Sequence, residues 1–192
     1  MNVENGLLQQ AEWLPSPNYG VRPENEVSLL VIHNISLPPG QFGGGYVQQF
    51  FQNRLGIDDH AYFREIDGLQ VSSHLLIERT GHIVQFVNFN HRAWHAGVSC
   101  FVGRDNCNDY SIGIELEGTD HTPYSDEQYR ALAEVTQALM TAYPKITAER
   151  ITGHEHIAPG RKTDPGPAFD WPAYRRSISV ITINRSPADR EP

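Results

Sequence analysis

Ser28-Leu29-Leu30-Val31-Ile32-His33 is an unbroken apolar run that ends on a histidine. A strand with one wetted face alternates in polarity, whereas a continuous run fits a strand covered on both faces. Downstream, Leu37-Pro38-Pro39-Gly40 and Gly43-Gly44-Gly45 read as loop, and a helix is expected from Tyr46 to Arg54. Ser73–Glu78 and His82–Val87, joined at Thr80-Gly81, read as a hairpin, and Ser111–Glu117 as another strand. The clearest helix spans Ser125 to Tyr143. Ser125 and Gln128 form a capping-box pattern, Tyr129, Leu132, Val135, Thr136, Leu139 and Met140 line one face, and Pro144 ends it. Arg150–His154 is strand-like, and a last amphipathic helix starts near Asp170. Strands interleaved with helices define an α/β fold: a single domain with a central mixed β-sheet flanked by helices. The domain is expected over residues 15–180, between an N-terminal segment (1–14) and a tail (181–192) that is loose from Ser186 to Pro192.

Composition narrows the function. The 192 residues carry a net charge of −8, with 39% hydrophobic and 10% aromatic residues. That is a globular composition, and its acidity argues against nucleic acid as partner. No apolar stretch approaches the roughly 20 residues of a membrane helix. Met1–Gly6 lacks the basic and apolar regions of a secretory signal, so a cytoplasmic protein is expected. No obligate protein partner is indicated. Cys100 and Cys107 are too few for a disulfide framework and are expected to be partly buried.

Nine histidines are the chemical anomaly. His33 closes the buried strand, and His154 closes the strand-like segment after Gly153. Strand ends that feed loops are where α/β sheets place their sites. Of His154 and His156, only one is expected to face His33 from an extended backbone. Asp164, held between Pro165, Gly166 and Pro167 on one side and Arg161-Lys162-Thr163 on the other, is a candidate third ligand. Two histidines, one carboxylate and an open position describe a hydrolytic zinc site.

Four blocks carry a family resemblance: Val31–Gly40, Arg92–Ser99 (Arg-Ala-Trp-His-Ala-Gly-Val-Ser), Asn108 through Thr119, and Gly153 through Gly166. Together, and in this order, they resemble the cytoplasmic 1,6-anhydro-N-acetylmuramyl-L-alanine amidases. These belong to a superfamily of zinc amidases that includes phage-type amidases and peptidoglycan recognition proteins. The likeness runs from about Pro15 to Trp171. It implies His33, His154 and Asp164 as ligands of Zn²⁺, Glu115 as general base, Lys162 as the cation facing the tetrahedral intermediate, and Tyr62 as a further site residue. Glu117 is expected to face away from the site. Asn34, Trp94 and His95 are candidate substrate contacts, with Trp94 either a sugar-stacking face or part of the core. His74 reads as a strand or supporting residue. Arg92 and Arg104 are candidates for peptide carboxylates, whereas Gln70 and Asn106 carry no basic charge where relatives often do.

The activity implied is hydrolysis of the lactyl–L-alanine amide of an anhydromuramyl peptide, in peptidoglycan recycling, with loss affecting β-lactamase induction. Two alternatives compete: a muropeptide-binding module without catalysis, and a zinc hydrolase acting on another amide.

Overall fold

The computed structural model describes residues 1–184. Six strands form the central sheet: β1 (Glu12–Trp13), β2 (Leu29–Ile35), β3 (Leu75–Ile77), β4 (Ile83–Gln85), β5 (Ser111–Glu117) and β6 (Ile151–Gly153), in the order β6-β2-β5-β3-β4-β1. β6, β2, β5 and β3 run parallel, β4 turns back antiparallel to β3, and β1 lies parallel to β4 at the edge. Four α-helices accompany the sheet: α1 (Tyr46–Phe51), α2 (Asp126–Ala142), α3 (His154–Ile157) and α4 (Trp171–Asn184).

The apolar run at Leu29 is buried on both sides because its alternate residues serve two different layers. Leu30 and Ile32 join Ile112, Ile114, Leu75 and Ile77 beneath Leu132, Val135 and Leu139 of α2 and Tyr174 of α4. Leu29 and Val31 point the other way, to Tyr110 and Ile157, while Leu76, Val84 and Phe86 meet Val47, Phe50 and Phe51 of α1. Each such side chain contributes about 1.5–3 kcal/mol on leaving water.

The capping box of α2 forms as its residues predict. Ser125 Oγ accepts from the Gln128 N–H at 3.1 Å, and Gln128 Oε1 accepts from the Ser125 N–H at 3.1 Å. The Gln128 amide also donates to the carbonyls of Ile77 and Glu117, which fastens the helix start to the ends of β3 and β5. Ser125→Ala is therefore expected to lower stability by about 1 kcal/mol, read as a shifted urea midpoint with an unchanged slope.

Four expectations need correction. Residues 1–14 are not a separate segment: Leu8 is buried in the main core and Glu12–Trp13 extend the sheet beside β4. Helix α4 runs on through Asn184, past the expected boundary at 180, while the loose tail expected over Ser186–Pro192 lies outside the described residues. Helix α1 stops at Phe51 rather than Arg54, where the chain turns through Asn53 at φ 57°. Cys107 is buried, but Cys100 is exposed. Among the described residues, no helix is long and apolar enough to cross a membrane.

Candidate active site

Strand register builds the site. In the parallel ladder of β2 and β5, His33 lies beside Glu115. On the other flank of β2, Gly153 lies beside Ile32, so the next residue, His154, arrives alongside His33. Three side chains thus stand in a row at the carboxyl ends of three parallel strands, where the sheet opens to its loops. Asp164 comes from the loop beyond α3. That loop is held where its carbonyls accept: Asp164 O from the Glu155 N–H at 2.9 Å, and Pro165 O from Tyr124 Oη at 2.8 Å and Asn34 Nδ2 at 3.1 Å.

His33 Nδ1, His154 Nδ1 and Asp164 Oδ2 form a triangle with every side 3.0 Å. His154 Nε2 faces the Ala96 carbonyl at 3.2 Å, an atom that can only accept, and the tautomer that donates there leaves Nδ1 unprotonated. In that tautomer Nδ1 turns a lone pair toward the Asp164 carboxylate oxygen, also an acceptor. Burial lowers the His33 pKa to about 4, against the opposing pull of Asp164, so His33 is neutral at pH 7. Lone pairs converging at this distance suit a shared cation. Atoms bonded tetrahedrally at about 2.0–2.1 Å to one zinc lie roughly 3.3 Å apart, close to the triangle observed. The three residues form a possible metal-binding cluster.

Glu115 is buried beside this triangle, and its Oε2 has no hydrogen-bond partner among the described residues. Burial pushes its pKa well above the ordinary carboxylate range, the charge of Asp164 adds to the rise, and Lys162 pulls it back. A carboxylate left unpaired in a buried position is costly, which marks Glu115 as a group kept for something other than stability. His33, Asn34, Tyr62, Trp94, His95, Glu115, His154, Lys162 and Asp164 all line one cavity of about 400 Å³. Lys162 stands exposed at its rim, and Tyr62 comes from a short 3₁₀ turn, Ala61–Glu65.

Several side chains do something other than expected. His154 does not end a strand: the strand stops at Gly153 and His154 opens the one-turn helix α3, which leaves His156 exposed beside Glu155. Glu117, two residues beyond Glu115, lies on the same face of β5 and not the opposite one. What separates it from the reaction centre is its partners, the N–H groups of Gly43 and Arg79. Asn34 spends its amide on Asp120 and Pro165, so it braces the loop carrying Asp164. Arg92 pairs with Asp109, and Arg104 with Glu24 and Glu26; neither lines the cavity. Trp94 lines it half-buried, with an indole nitrogen that has no partner among the described residues.

Arg22 drew no attention in the sequence. It is buried and donates to the carbonyls of Phe89, Asn108, Asp109 and Ser111, with burial lowering its pKa to about 10. It pins the backbone that supports His74 and His95. A lone arginine in a loop carries no sequence signal for this, because its partners are backbone atoms 67 to 89 residues away.

The mixed sheet thus presents a His–His–Asp cluster and a buried glutamate near its parallel strand ends, a donor set suited to metal-assisted hydrolysis. The chain belongs to the N-acetylmuramoyl-L-alanine amidase family, whose model matches residues 23–167. It is 56% identical over 178 residues to the 1,6-anhydro-N-acetylmuramyl-L-alanine amidase AmpD of Haemophilus influenzae, covering 92% of this chain and 97% of that one. A crystal structure of a selenomethionine derivative of AmpD superposes with a TM-score of 0.90 at 55% identity, covering 93% of this chain and 99% of that one. Escherichia coli AmiD, solved with the substrate anhydro-N-acetylmuramic acid-L-Ala-D-γ-Glu-L-Lys, aligns at 28% identity with a TM-score of 0.59, covering 86% and 65%.

Proposed function

We propose that this protein is a zinc-dependent amidase that cleaves the bond between the lactyl group of 1,6-anhydro-N-acetylmuramic acid and L-alanine of the stem peptide, in cytoplasmic recycling of the cell wall. The observation that carries this reading is the meeting of His33, His154, Asp164, Glu115 and Lys162 in one cavity. His33, His154 and Asp164 would hold the Zn²⁺ ion, and the fourth position would stay open to water and substrate. When bound, zinc lowers the pKa of water toward 7 and polarises an amide carbonyl.

The chain supplies the rest. The Glu115 carboxylate takes a proton from the attacking water as the new C–O bond forms. It then returns that proton to the L-alanine nitrogen as the C–N bond breaks, so the amine leaves neutral. A basic carboxylate is suited to both transfers, and burial raises the basicity of Glu115. Lys162, at the cavity rim, provides a positive charge toward the carbonyl oxygen as it becomes an oxyanion, a contribution of about 2.7–4 kcal/mol by analogy with a single oxyanion-hole donor. Trp94 offers an aromatic face to the sugar.

The test is direct. Zinc is counted per chain, anhydromuramyl tripeptide is added, and free tripeptide is sought by mass spectrometry. Zinc with peptide release supports the reading. Zinc without release points to another amide, and neither points to a binding module. Metal removal gives a second check. The chelated protein is expected to lose activity and to melt roughly 8–16 °C lower than protein at a thousandfold excess over the zinc Kd, with one equivalent of Zn²⁺ restoring activity.

A further inference from the structure

His95 has no ring nitrogen to spare for a substrate. Its Nδ1 lies 2.8 Å from His33 Nε2, and its Nε2 lies 3.0 Å from Ser111 Oγ. The two imidazoles meet edge-on, with centroids 4.9 Å apart and planes at 86°. Their contact can run in either direction, but only one direction suits a metal. If His33 donates from Nε2, its Nδ1 keeps a lone pair for the triangle with His154 and Asp164. His95 must then accept at Nδ1 and hold its own proton at Nε2, where Ser111 Oγ accepts it.

The surroundings of His95 fix its ring closely. Asn108 Oδ1 accepts the backbone N–H groups of His95 and Ala96, at 3.1 and 2.8 Å. The ring packs over Gly113, where a Cβ would come within 2.5 Å of His95 Cγ and Nδ1. His74 holds that glycine in place: its Nδ1 accepts the Gly113 N–H at 3.0 Å, and its Nε2 donates to the His91 carbonyl at 3.0 Å. An absent side chain at position 113 thus makes room for the ring that braces a ligand.

We propose that His95, backed by Ser111 and seated on Gly113, is a positioning residue that sets the tautomer and orientation of His33, and through them the protein's affinity for zinc. The inference rests on the reading of His33 as a metal ligand. Partners of this kind typically change metal affinity 10–100-fold when removed.

The experiment compares wild type with H95F, H95N, S111A and G113A. Zinc Kd is read by competition with a chromophoric chelator, apo melting temperature by circular dichroism, and KM for anhydromuramyl tripeptide at saturating zinc. H95F keeps the ring and loses the acceptor, so its zinc Kd should rise about 10–100-fold while the apo melting temperature changes little. H95N offers an oxygen near the place of Nδ1 and should recover part of that loss. S111A should weaken binding in the same direction, and G113A should do so without touching any ligand. KM should stay within roughly two-fold, since no uniform substrate binding is removed. Unchanged zinc Kd in both H95F and H95N overturns the proposal, as does a raised KM with unchanged Kd, the signature of a substrate contact. A wild-type chain that binds no zinc overturns the ligand assignment first, and this inference with it.

Discussion

Glu115→Ala is expected to keep zinc and fold while turnover falls about 10²–10⁴-fold, the usual loss when a positioned acid–base group is removed. The carboxylate belongs to no side of the 3.0 Å triangle, so removing it leaves all three candidate ligands in place. It sits beside His33 in the ladder and lines the same cavity as the three candidate ligands. Stability should not suffer. Glu115 Oε2 is buried without a partner among the described residues, and removing such a group relieves a desolvation penalty. Metal content, melting temperature and tripeptide release measured on one preparation decide the matter. Near-wild-type release from Glu115→Ala would sink the assignment of the base.

His154→Ala is expected to fail differently. It removes one of the three candidate ligands, so zinc should fall to less than about one-tenth of an equivalent per chain and activity should vanish with it. The imidazole Nε2 also lies 3.2 Å from Ala96 O, a carbonyl that accepts from the Arg161 guanidinium, so the substitution loosens the loop between Ala96 and Val98. Its melting temperature should match that of the chelated wild type or fall below it, and added zinc should not raise it. Stoichiometric zinc in purified His154→Ala, measured by atomic emission, would show that the metal is held elsewhere. Together the two variants separate a residue that holds the metal from one that moves a proton.

Much of this was legible in the chain because it is local. The run Leu29–His33, the strand over Ser111–Glu117 and the box at Ser125 and Gln128 each state their structure within a few residues. Resemblance across four blocks supplied what spacing does not, since His33 and His154 are 121 residues apart. What escaped the reading was tertiary. Two-residue strands at the N-terminus have no periodicity to detect, and the pairing of Glu12–Trp13 with β4 exists only once β4 is in place. The role of Asn34 depends on Asp120 and Pro165 arriving from far along the chain. His95 reads from the sequence as a candidate substrate contact, and the meeting of its ring with His33, 62 residues away, exists only in the folded chain.

The pairing of His33 with Glu115 has a consequence for folding. Neither residue is placed by its neighbours in sequence; each is placed by how two parallel strands are threaded against one another. A slip of one residue along β5 would carry Glu115 through the sheet to the face covered by α2 and α4 and bring Ile114 or Leu116 beside His33. Such a chain would still be compact and rich in strand and helix, and the His33, His154 and Asp164 cluster, built without β5, would still assemble. It would not turn over. Enzymatic activity in this protein is thus a sensitive gauge of correct threading: refolded material assayed for both zinc and turnover would reveal a misthreaded fraction that spectroscopy passes as native.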